Sequence, residues 1–494
     1  MSKMENFKLL IDGEFCDAEH GTVFESTDPS TEESWAIMPR ASAGDTDRAV
    51  KAAWAAFCRG PWPSMTASAR GKLLYKLAEL VTRDASLLAE LETRDTGKII
   101  RETRAQIGYV AEYYRYFAGM ADKIEGAVLP IDKPDLEVFT RREPIGVVAA
   151  IVPWNSQLFL SAVKLGPALA AGNCVVLKAS EDGPAPLLHF ARLIGEAGFP
   201  RGVVNVITGF GEDCGATLAG HPLVSRVAFT GGPDTARHIV RHTANNFAVT
   251  TLELGGKSPV IVFPDANLDS AANAVIAGIF AASGQSCVAG SRLLVHQSVH
   301  DELTKRLAER APGIRIGPPL DMATEMGPLA TARQRSNAEK LIAESVQSGA
   351  KLVTGGGTPA GFHKGFYFSP TILAAPRADL PCVQQEFFAP VLSVLSFSSE
   401  EQAVALANGT DYGFAAGVFT TNLALAHRIT KRLRAGIVWI NTYRAVSPMA
   451  PFGGFGSTGN GREAGMDAIL DYTRSKTVWI NTSDASIADP FVMR

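Results

Sequence analysis

The run Val147-Val148-Ala149-Ala150-Ile151-Val152 decides the fold. An apolar run of this length, bounded by turn residues, is typical of a strand that is buried on both faces of a parallel sheet. Similar runs follow at 174–178, 203–207 and 227–230, with helical patterns between them, among them 164–171 and 184–197. Strands that alternate with helices predict an α/β fold with a doubly wound parallel sheet, and such sheets bind nucleotides at the carboxyl ends of their strands.

The flanking segments add further elements. On the amino-terminal side, residues 9–15 predict a hairpin, and 67–98 and 106–121 predict long helices. After Glu253 a second series of strands and helices begins. Two segments with alternating polarity, 136–143 and 472–481, predict a small projecting sheet.

Composition argues against several classes of protein. The chain has 494 residues, a net charge of −3 and no basic block, which gives little support to binding of nucleic acid or of an anionic membrane. Six cysteines are scattered singly, without a CxxC pair, so we expect no metal site, no disulfide framework and a reducing compartment. The first residues lack a signal-peptide pattern, and no run reaches the ~20 apolar residues of a membrane span. We therefore expect a cytoplasmic protein.

One cysteine stands in a stretch suited to chemistry, Gly284-Gln285-Ser286-Cys287-Val288-Ala289-Gly290-Ser291-Arg292. Among small and turn-forming residues, a thiol can have a backbone N–H nearby and a lowered pKa, which would make Cys287 a nucleophile. The alternative is a buried structural thiol, since free cysteine is among the most buried residue types. Upstream, Leu252-Glu253-Leu254-Gly255-Gly256-Lys257-Ser258-Pro259 supplies a carboxylate, Glu253, as a candidate base.

Together the two stretches resemble the active-site signatures of the NAD(P)-dependent aldehyde dehydrogenase superfamily, and the resemblance extends from Leu10 to Ile480. It implies three units. A Rossmann-like cofactor domain would comprise 1–125 and 145–254, and a second α/β domain, the catalytic one, 255–460. A small β element, 126–144 and 470–494, would join subunits into a homodimer or homotetramer.

The resemblance also implies the catalytic roles. The Cys287 thiolate would attack the aldehyde, while the Asn155 side-chain amide and the Cys287 backbone N–H hold the developing oxyanion. Transfer of a hydride to NAD would leave a thioester on the cysteine, and Glu253 would activate the water that hydrolyses it. Lys164 and Glu463 would form a proton path from Glu253.

The cofactor contacts follow in the same way. Glu181 would accept hydrogen bonds from the ribose and repel a phosphate on it, which favours NAD and leaves NADP as the less favoured cofactor. Glu386 would bind the nicotinamide ribose, and Phe388 would pack on the nicotinamide ring. The chain departs from the family at Gly232, where serine is usual, and at Ala389, where glycine is usual. The remaining contacts are assigned to Trp154, Lys178, Ser180, Gly211, Phe229, Thr230, Gly231 and Leu254.

The predicted substrate contacts rest on departures from the family. Where relatives that prefer small or aromatic aldehydes often carry bulky aromatic rings, this chain has small side chains, and only Phe452 remains. Removing rings should open the tunnel, and Arg444 could grip a carboxylate with two N–H groups. A bulky or polar aldehyde, such as a carboxylate semialdehyde, is one hypothesis; the other is that different side chains refill the tunnel and Arg444 points to solvent. The small residues are Ser156, Val163, Ala281 and Val446.

Two other functions share this fold. A coenzyme A-acylating semialdehyde dehydrogenase needs no activated water, so a base at Glu253 argues against it. A catalytically idle structural protein would not need Cys287 or Glu253, and both are present.

Overall fold

The first sheet organises the amino-terminal half of the protein, in a computed structural model that describes residues 4–487 and 489–492. It has eight strands, and its five central strands run parallel. The strands in spatial order are Gly459–Asn460, Val249–Glu253, Val224–Thr230, Val147–Ile151, Cys174–Ala179, Val204–Thr208, Leu9–Ile11 and Glu14–Cys16. Helices cover both faces, and Val147–Ile151 is buried along its whole length, as its unbroken apolar pattern predicts.

The helices around this sheet differ from prediction in their bounds. The segment predicted as one helix over 67–98 forms two, which meet at Asp84, where the backbone leaves helical geometry. The second of them ends at Gly97, whose φ of 76° is left-handed. The helix predicted over 106–121 begins six residues earlier, at Ile100. The helices here are Ala43–Cys58, Ala67–Arg83, Ala85–Thr96, Ile100–Met120, Gln157–Ala170, Ala185–Ala197, Ala216–Gly220, Pro233–Thr243 and Gly465–Leu470.

The second sheet has seven strands, all parallel except the edge strand Lys351–Thr354. The remaining strands, in spatial order, are Thr371–Ala374, Val391–Phe397, Arg292–His296, Pro259–Val262, Ala415–Phe419 and Ile437–Ile440. The helices of this half are Leu268–Ile279, Gln297–Arg310, Ala332–Gln347, Pro381–Gln384, Glu400–Asn408 and Leu423–Thr430. The predicted α/β class with two such sheets is confirmed.

The small projecting sheet also forms. Leu136–Pro144 pairs antiparallel with Thr473–Asn481 over nine residue pairs. On this ribbon Trp479 is 55% exposed and Ile480 is 43% exposed, so it presents apolar surface. Two further small sheets are present. One pairs Tyr412–Gly413 with Phe455–Gly456. In the other, Glu33–Pro39 is the central strand, between Glu5–Asn6 and Val23–Asp28.

The chain returns from the second sheet to the first near its end. Gly459–Asn460 pairs antiparallel with Leu252 and Glu253, the last residues of a parallel strand. The following helix, Gly465–Leu470, packs into the core of the first sheet. The strand that carries Glu253 is thus covered by a late segment of the chain. Among the described residues, none of the helices is both long and apolar enough to cross a membrane.

Candidate active site

The loop that carries Cys287 is held in a strained conformation by residues far away in sequence. Ala282 and Ser283 have φ values of 51° and 54°, in the left-handed region that residues with a Cβ rarely adopt. Both carboxylate oxygens of Glu102 accept from the Ala282 N–H, at 2.9 and 3.1 Å. The Ser283 hydroxyl donates to the carbonyl of Gly327 at 2.8 Å. These tertiary contacts fix the turn that presents the thiol.

Asn155 joins the first sheet to this loop. It lies in a single helical turn, Trp154–Ser156, directly after the strand Val147–Ile151 and its extension Val152-Pro153. Its Nδ2 donates to the backbone carbonyl of Gln285 at 3.1 Å. An amide has two N–H groups, so the second remains for an oxygen atom bound beside the thiol.

The thiol of Cys287 does not have the lowered pKa that the sequence suggested. Burial, and then the carboxylates of Glu253 and Glu386, raise the pKa of Cys287 to about 12. Backbone N–H groups of Val288 and of Cys287 itself act in the opposite direction but are outweighed. The prediction of a lowered pKa for Cys287 was therefore wrong. It rested on the nearby backbone N–H groups, and the sequence did not reveal that two carboxylates lie close to the thiol.

Glu253 ends its strand as a buried carboxylate, with 1% of its surface exposed. Within the described residues neither of its carboxylate oxygens has a hydrogen-bond partner. Burial, and then the charge of Glu463, raise the pKa of Glu253 well above its usual range. A Cβ at Gly453 would lie 2.6 Å from Glu253 Oε1, so only glycine permits this approach. A buried carboxylate with free oxygens and a raised pKa suits a general base.

Lys164 and Glu463 form a buried ion pair near this base. Lys164 Nζ contacts Glu463 Oε1 and also donates to the Thr230 hydroxyl at 2.8 Å. Lys164 is fully buried and Glu463 is 3% exposed. The second oxygen of Glu463 has no partner in the part of the chain that the structure describes. The structure therefore brings the predicted proton-path residues close to Glu253, which both of them influence electrostatically.

The carboxyl edge of the first sheet carries most of the predicted cofactor residues. At the end of Cys174–Ala179, Lys178 Nζ donates to Glu181 Oε2 at 2.9 Å. Burial alone would raise the pKa of Glu181, but Lys178, the Glu181 backbone N–H and Arg333 together outweigh burial, and the pKa lies below its usual value. Glu181 thus stays ionised, as a carboxylate that accepts from two ribose hydroxyls must. Next to it the Ser180 hydroxyl accepts from the Asp182 N–H at 3.2 Å.

A helix N-terminus faces the same edge. The helix Pro233–Thr243 begins after Gly232, which provides no side-chain cap, so the first N–H groups remain available for an anion such as a pyrophosphate. A Cβ at Gly231 would lie 2.4 Å from the Phe229 ring, so the ring occupies the space beside this turn. Gly211 is exposed and begins the short helical turn Gly211–Gly215. Leu254 is buried, and its N–H donates to the carbonyl of Thr458 at 2.8 Å.

The residues predicted for the nicotinamide half come from both sheets. Glu386 Oε1 accepts from the Gly256 N–H at 2.9 Å, and burial raises the pKa of Glu386 to about 7. The rings of Trp154 and Phe388 meet edge to face, with centroids 5.4 Å apart. The donors, carboxylates and glycine turns along this edge fit NAD.

A cavity of about 420 Å³ leads to Cys287. Ser156, Ala281, Val446, Arg444 and Phe452 line it, as the sequence predicted. Val163 does not; it is 3% exposed and packs in the core of the first sheet. Its helix, Gln157–Ala170, is buried nearly all round, so alignment with tunnel residues misplaced it. Arg444 donates from Nη1 to the carbonyl of Ala277 at 2.9 Å and stays partly exposed.

Sequence reasoning missed the polar side of this cavity. Lys98, Glu102, Gln106 and Gln285 line it together with Asn155. The sequence placed Lys98 at the end of a long helix, whereas it follows the helix end at Gly97 and turns inward. The glycine after a helical pattern was the available signal.

The model of the aldehyde dehydrogenase family matches residues 15–478. The chain belongs to this family. A relative from Acinetobacter baylyi, named (Z)-2-((N-methylformamido)methylene)-5-hydroxybutyrolactone dehydrogenase, is 60% identical over 99% of this chain and 100% of its own length.

Solved structures of other proteins share this fold. PnpE, a Pseudomonas protein solved in complex with nicotinamide adenine dinucleotide, has a TM-score of 0.96 at 44% identity, over 99% of this chain and 100% of PnpE. The NAD⁺ complex of the Bacillus cereus enzyme has a TM-score of 0.95 at 42% identity, over 97% of both chains. The family match and the NAD complexes of similar proteins confirm three predictions: the family, NAD as the cofactor and oxidation of an aldehyde.

Proposed function

We propose that this aldehyde dehydrogenase oxidises a bulky or polar aldehyde, most specifically a semialdehyde that carries a carboxylate. The observation that carries the proposal is the cavity before Cys287, which combines small side chains with charged ones. Ser156, Ala281 and Val446 leave room for a substituent, and Arg444 adds a cation that would attract an anion. Acetaldehyde would fill little of this space.

The named substrate of the Acinetobacter relative supports the same class. A five-membered lactone with a hydroxyl on the carbon next to the ring oxygen is the closed form of a four-carbon chain with an aldehyde at one end and a carboxylate at the other. Ring opening therefore yields a semialdehyde. With 60% identity over nearly the whole chain, a substrate with this pair of groups is the one we infer here.

In the reaction we propose, the Cys287 thiol first loses its proton to water in the cavity, and the thiolate bonds to the aldehyde carbon. The second Asn155 N–H and the Cys287 backbone N–H then hold the oxygen. The bound NAD accepts the hydride. The thioester on Cys287 is then hydrolysed by a water that loses its proton to Glu253. The free oxygens and raised pKa of Glu253 support this role. Lys164 and Glu463 would pass the proton onward.

The preference for NAD over NADP rests on Glu181, whose ionised carboxylate would repel a ribose phosphate. Lys178 holds this carboxylate in place. We also propose a cytoplasmic homodimer or homotetramer that binds no nucleic acid or membrane, assembled through the ribbon of Leu136–Pro144 and Thr473–Asn481. The exposed apolar residues on this ribbon support the assembly, and a relative named as a cytosolic aldehyde dehydrogenase supports the location.

The test is NADH formation, followed by absorbance, with acetaldehyde, a bulky uncharged aldehyde and succinic semialdehyde. We expect the highest kcat/KM for succinic semialdehyde. A higher value for acetaldehyde would refute the open cavity. Sustained NADH formation only when coenzyme A is added, with an acyl-coenzyme A as the product in place of the free acid, would favour the acylating alternative instead.

A further inference from the structure

One wall of the cavity is a hydrogen-bonded cluster of three side chains, Lys98, Gln106 and Ser156, called the inner wall below. Lys98 Nζ donates to the Ser156 hydroxyl at 2.8 Å and to Gln106 Oε1 at 2.9 Å. Gln106 Nε2 donates to the same hydroxyl at 3.1 Å. All three side chains line the cavity that contains Cys287. The inner wall is therefore a preformed polar surface and not a set of mobile surface groups.

The ammonium of the inner wall is buried and only partly neutralised. Lys98 is 8% exposed, and its carboxylate neighbour, Glu92 Oε1, lies 3.4 Å away. Burial raises the pKa of Glu92, so it disfavours the charged form that would offset the lysine. A buried cation with one loosely placed counterion is costly unless something else compensates it. A substrate anion would supply that compensation.

The inner wall retains hydrogen-bonding capacity on the cavity side. A glutamine amide has two N–H groups, and Gln106 gives only one of them to a partner within the described residues, the Ser156 hydroxyl. Ser156 directly follows Asn155, so their Cα atoms are ~3.8 Å apart. Asn155 and the inner wall line the same cavity, so a short substrate with its aldehyde oxygen at Asn155 would have the inner wall among its neighbours.

Among the described residues, the cavity has two other charged side chains, Glu102 and Arg444, and neither belongs to the inner wall. Both oxygens of Glu102 are occupied by the Ala282 N–H. Arg444 gives one N–H to Ala277, on the helix before the nucleophile loop, and remains partly exposed to solvent. An exposed guanidinium attracts anions over a distance, whereas a buried ammonium and an amide discriminate between bound substrates.

We propose that the inner wall binds the carboxylate of the semialdehyde substrate, with Gln106 donating a hydrogen bond and Lys98 supplying the charge. Arg444 then acts mainly during approach. The inference rests on the proposed substrate class. It adds that Ser156 matters not only because it is small but because a larger side chain there would cover Lys98.

The experiment compares kcat/KM for succinic semialdehyde and for its uncharged methyl ester, which differ in charge at the far end. Lys98→Met is combined with Glu92→Gln, so that no carboxylate is left buried alone. We expect the ratio of kcat/KM for the acid to kcat/KM for the ester to fall roughly tenfold or more in the double variant. In Gln106→Leu the ratio should fall several-fold, and both variants should still oxidise the ester. The falls should persist at high salt, since buried groups are little screened.

The matched control is Arg104→Gln, which removes an exposed charge from the helix that carries Gln106. Its ratio should stay near that of the wild type. If the double variant does not fold, Gln106→Leu and Ser156→Phe test the inference in its place. In both of these variants Lys98 keeps Glu92 as its charged partner. The inference would be overturned if folded inner-wall variants kept the acid-to-ester ratio of the wild type. It would also be overturned if this ratio fell only in Arg444→Gln. A wild-type enzyme that oxidises neither compound would instead overturn the proposed substrate class.

Discussion

Asn155 donates its side-chain amide to the backbone carbonyl of Gln285, two residues before Cys287, at 3.1 Å. This hydrogen bond links the end of a strand in the first sheet to the nucleophile loop of the second. It orients the amide before any substrate arrives, and pre-oriented donors are those that stabilise developing charge most.

Replacing Asn155 by alanine should therefore lower kcat by about 10²–10³-fold, the usual effect of removing one oxyanion donor. NAD binding should persist, which quenching of intrinsic fluorescence by the cofactor would measure. Asn273→Ala, on an exposed helix surface, is the control. A kcat within about twofold of the wild type would remove Asn155 from the oxyanion site.

Glu253→Gln should still form one NADH per active site and then stall, because only the hydrolysis of the thioester needs the base. Rapid-quench experiments and mass spectrometry should detect an acyl group on Cys287. Cys287→Ala should give no burst at all. A variant with neither burst nor acyl-enzyme would show that Glu253 has another role.

The raised pKa of Cys287 can be measured by alkylation with iodoacetamide in the absence of NAD. The rate should rise with pH up to a midpoint of about 12, because only the thiolate reacts. Glu253→Gln removes one of the two carboxylates that raise this pKa, so the midpoint should move to lower pH, with about tenfold more thiolate per pKa unit below it. The exposed thiol of Cys58 serves as an internal reference. An unmoved midpoint would contradict the electrostatic contact between the two residues.

Glu181→Ser should narrow the preference for NAD over NADP by roughly tenfold, because it removes the charge that repels the ribose phosphate. The measurement is kcat/KM for both cofactors at a saturating aldehyde concentration. A wild-type enzyme that already prefers NADP would refute the assignment.

Trp479→Asp should weaken subunit assembly, since it places a charge on the exposed apolar face of the projecting ribbon. Light scattering at micromolar concentration should show a dimer or tetramer for the wild type and smaller species for the variant. A wild-type monomer would contradict assembly through this ribbon.

Short stretches of sequence predicted the central strand, the projecting ribbon and the two main catalytic candidates, because each depends on a pattern within a few neighbouring residues. The run 147–152 became a central strand because unbroken apolar sequence fits a sheet covered on both faces. Alternating polarity predicted both strands of the pair Leu136–Pro144 and Thr473–Asn481, although residues 145–472 lie between them in the sequence. Glu253 and Cys287 were found because their surrounding motifs are specific.

Other features depend on distant contacts that no local pattern contains. The left-handed turn at Ala282 and Ser283 requires Glu102, which is 180 residues away. The raised pKa of Cys287 results from carboxylates that approach only in the folded chain. Val163 was placed in the tunnel by alignment with substrate residues, but its helix is enclosed by the core.

The helix Ile100–Met120 carries two side chains, one turn apart, that contribute to different parts of the site. Glu102 anchors the loop that presents the thiol, and Gln106, four residues later and on the same face, belongs to the inner wall. Transplanting this helix from a relative to change the substrate would therefore also alter the support of the nucleophile. New substrate ranges on this scaffold should arise more readily from changes at Ser156 or Val446, which leave that anchor in place.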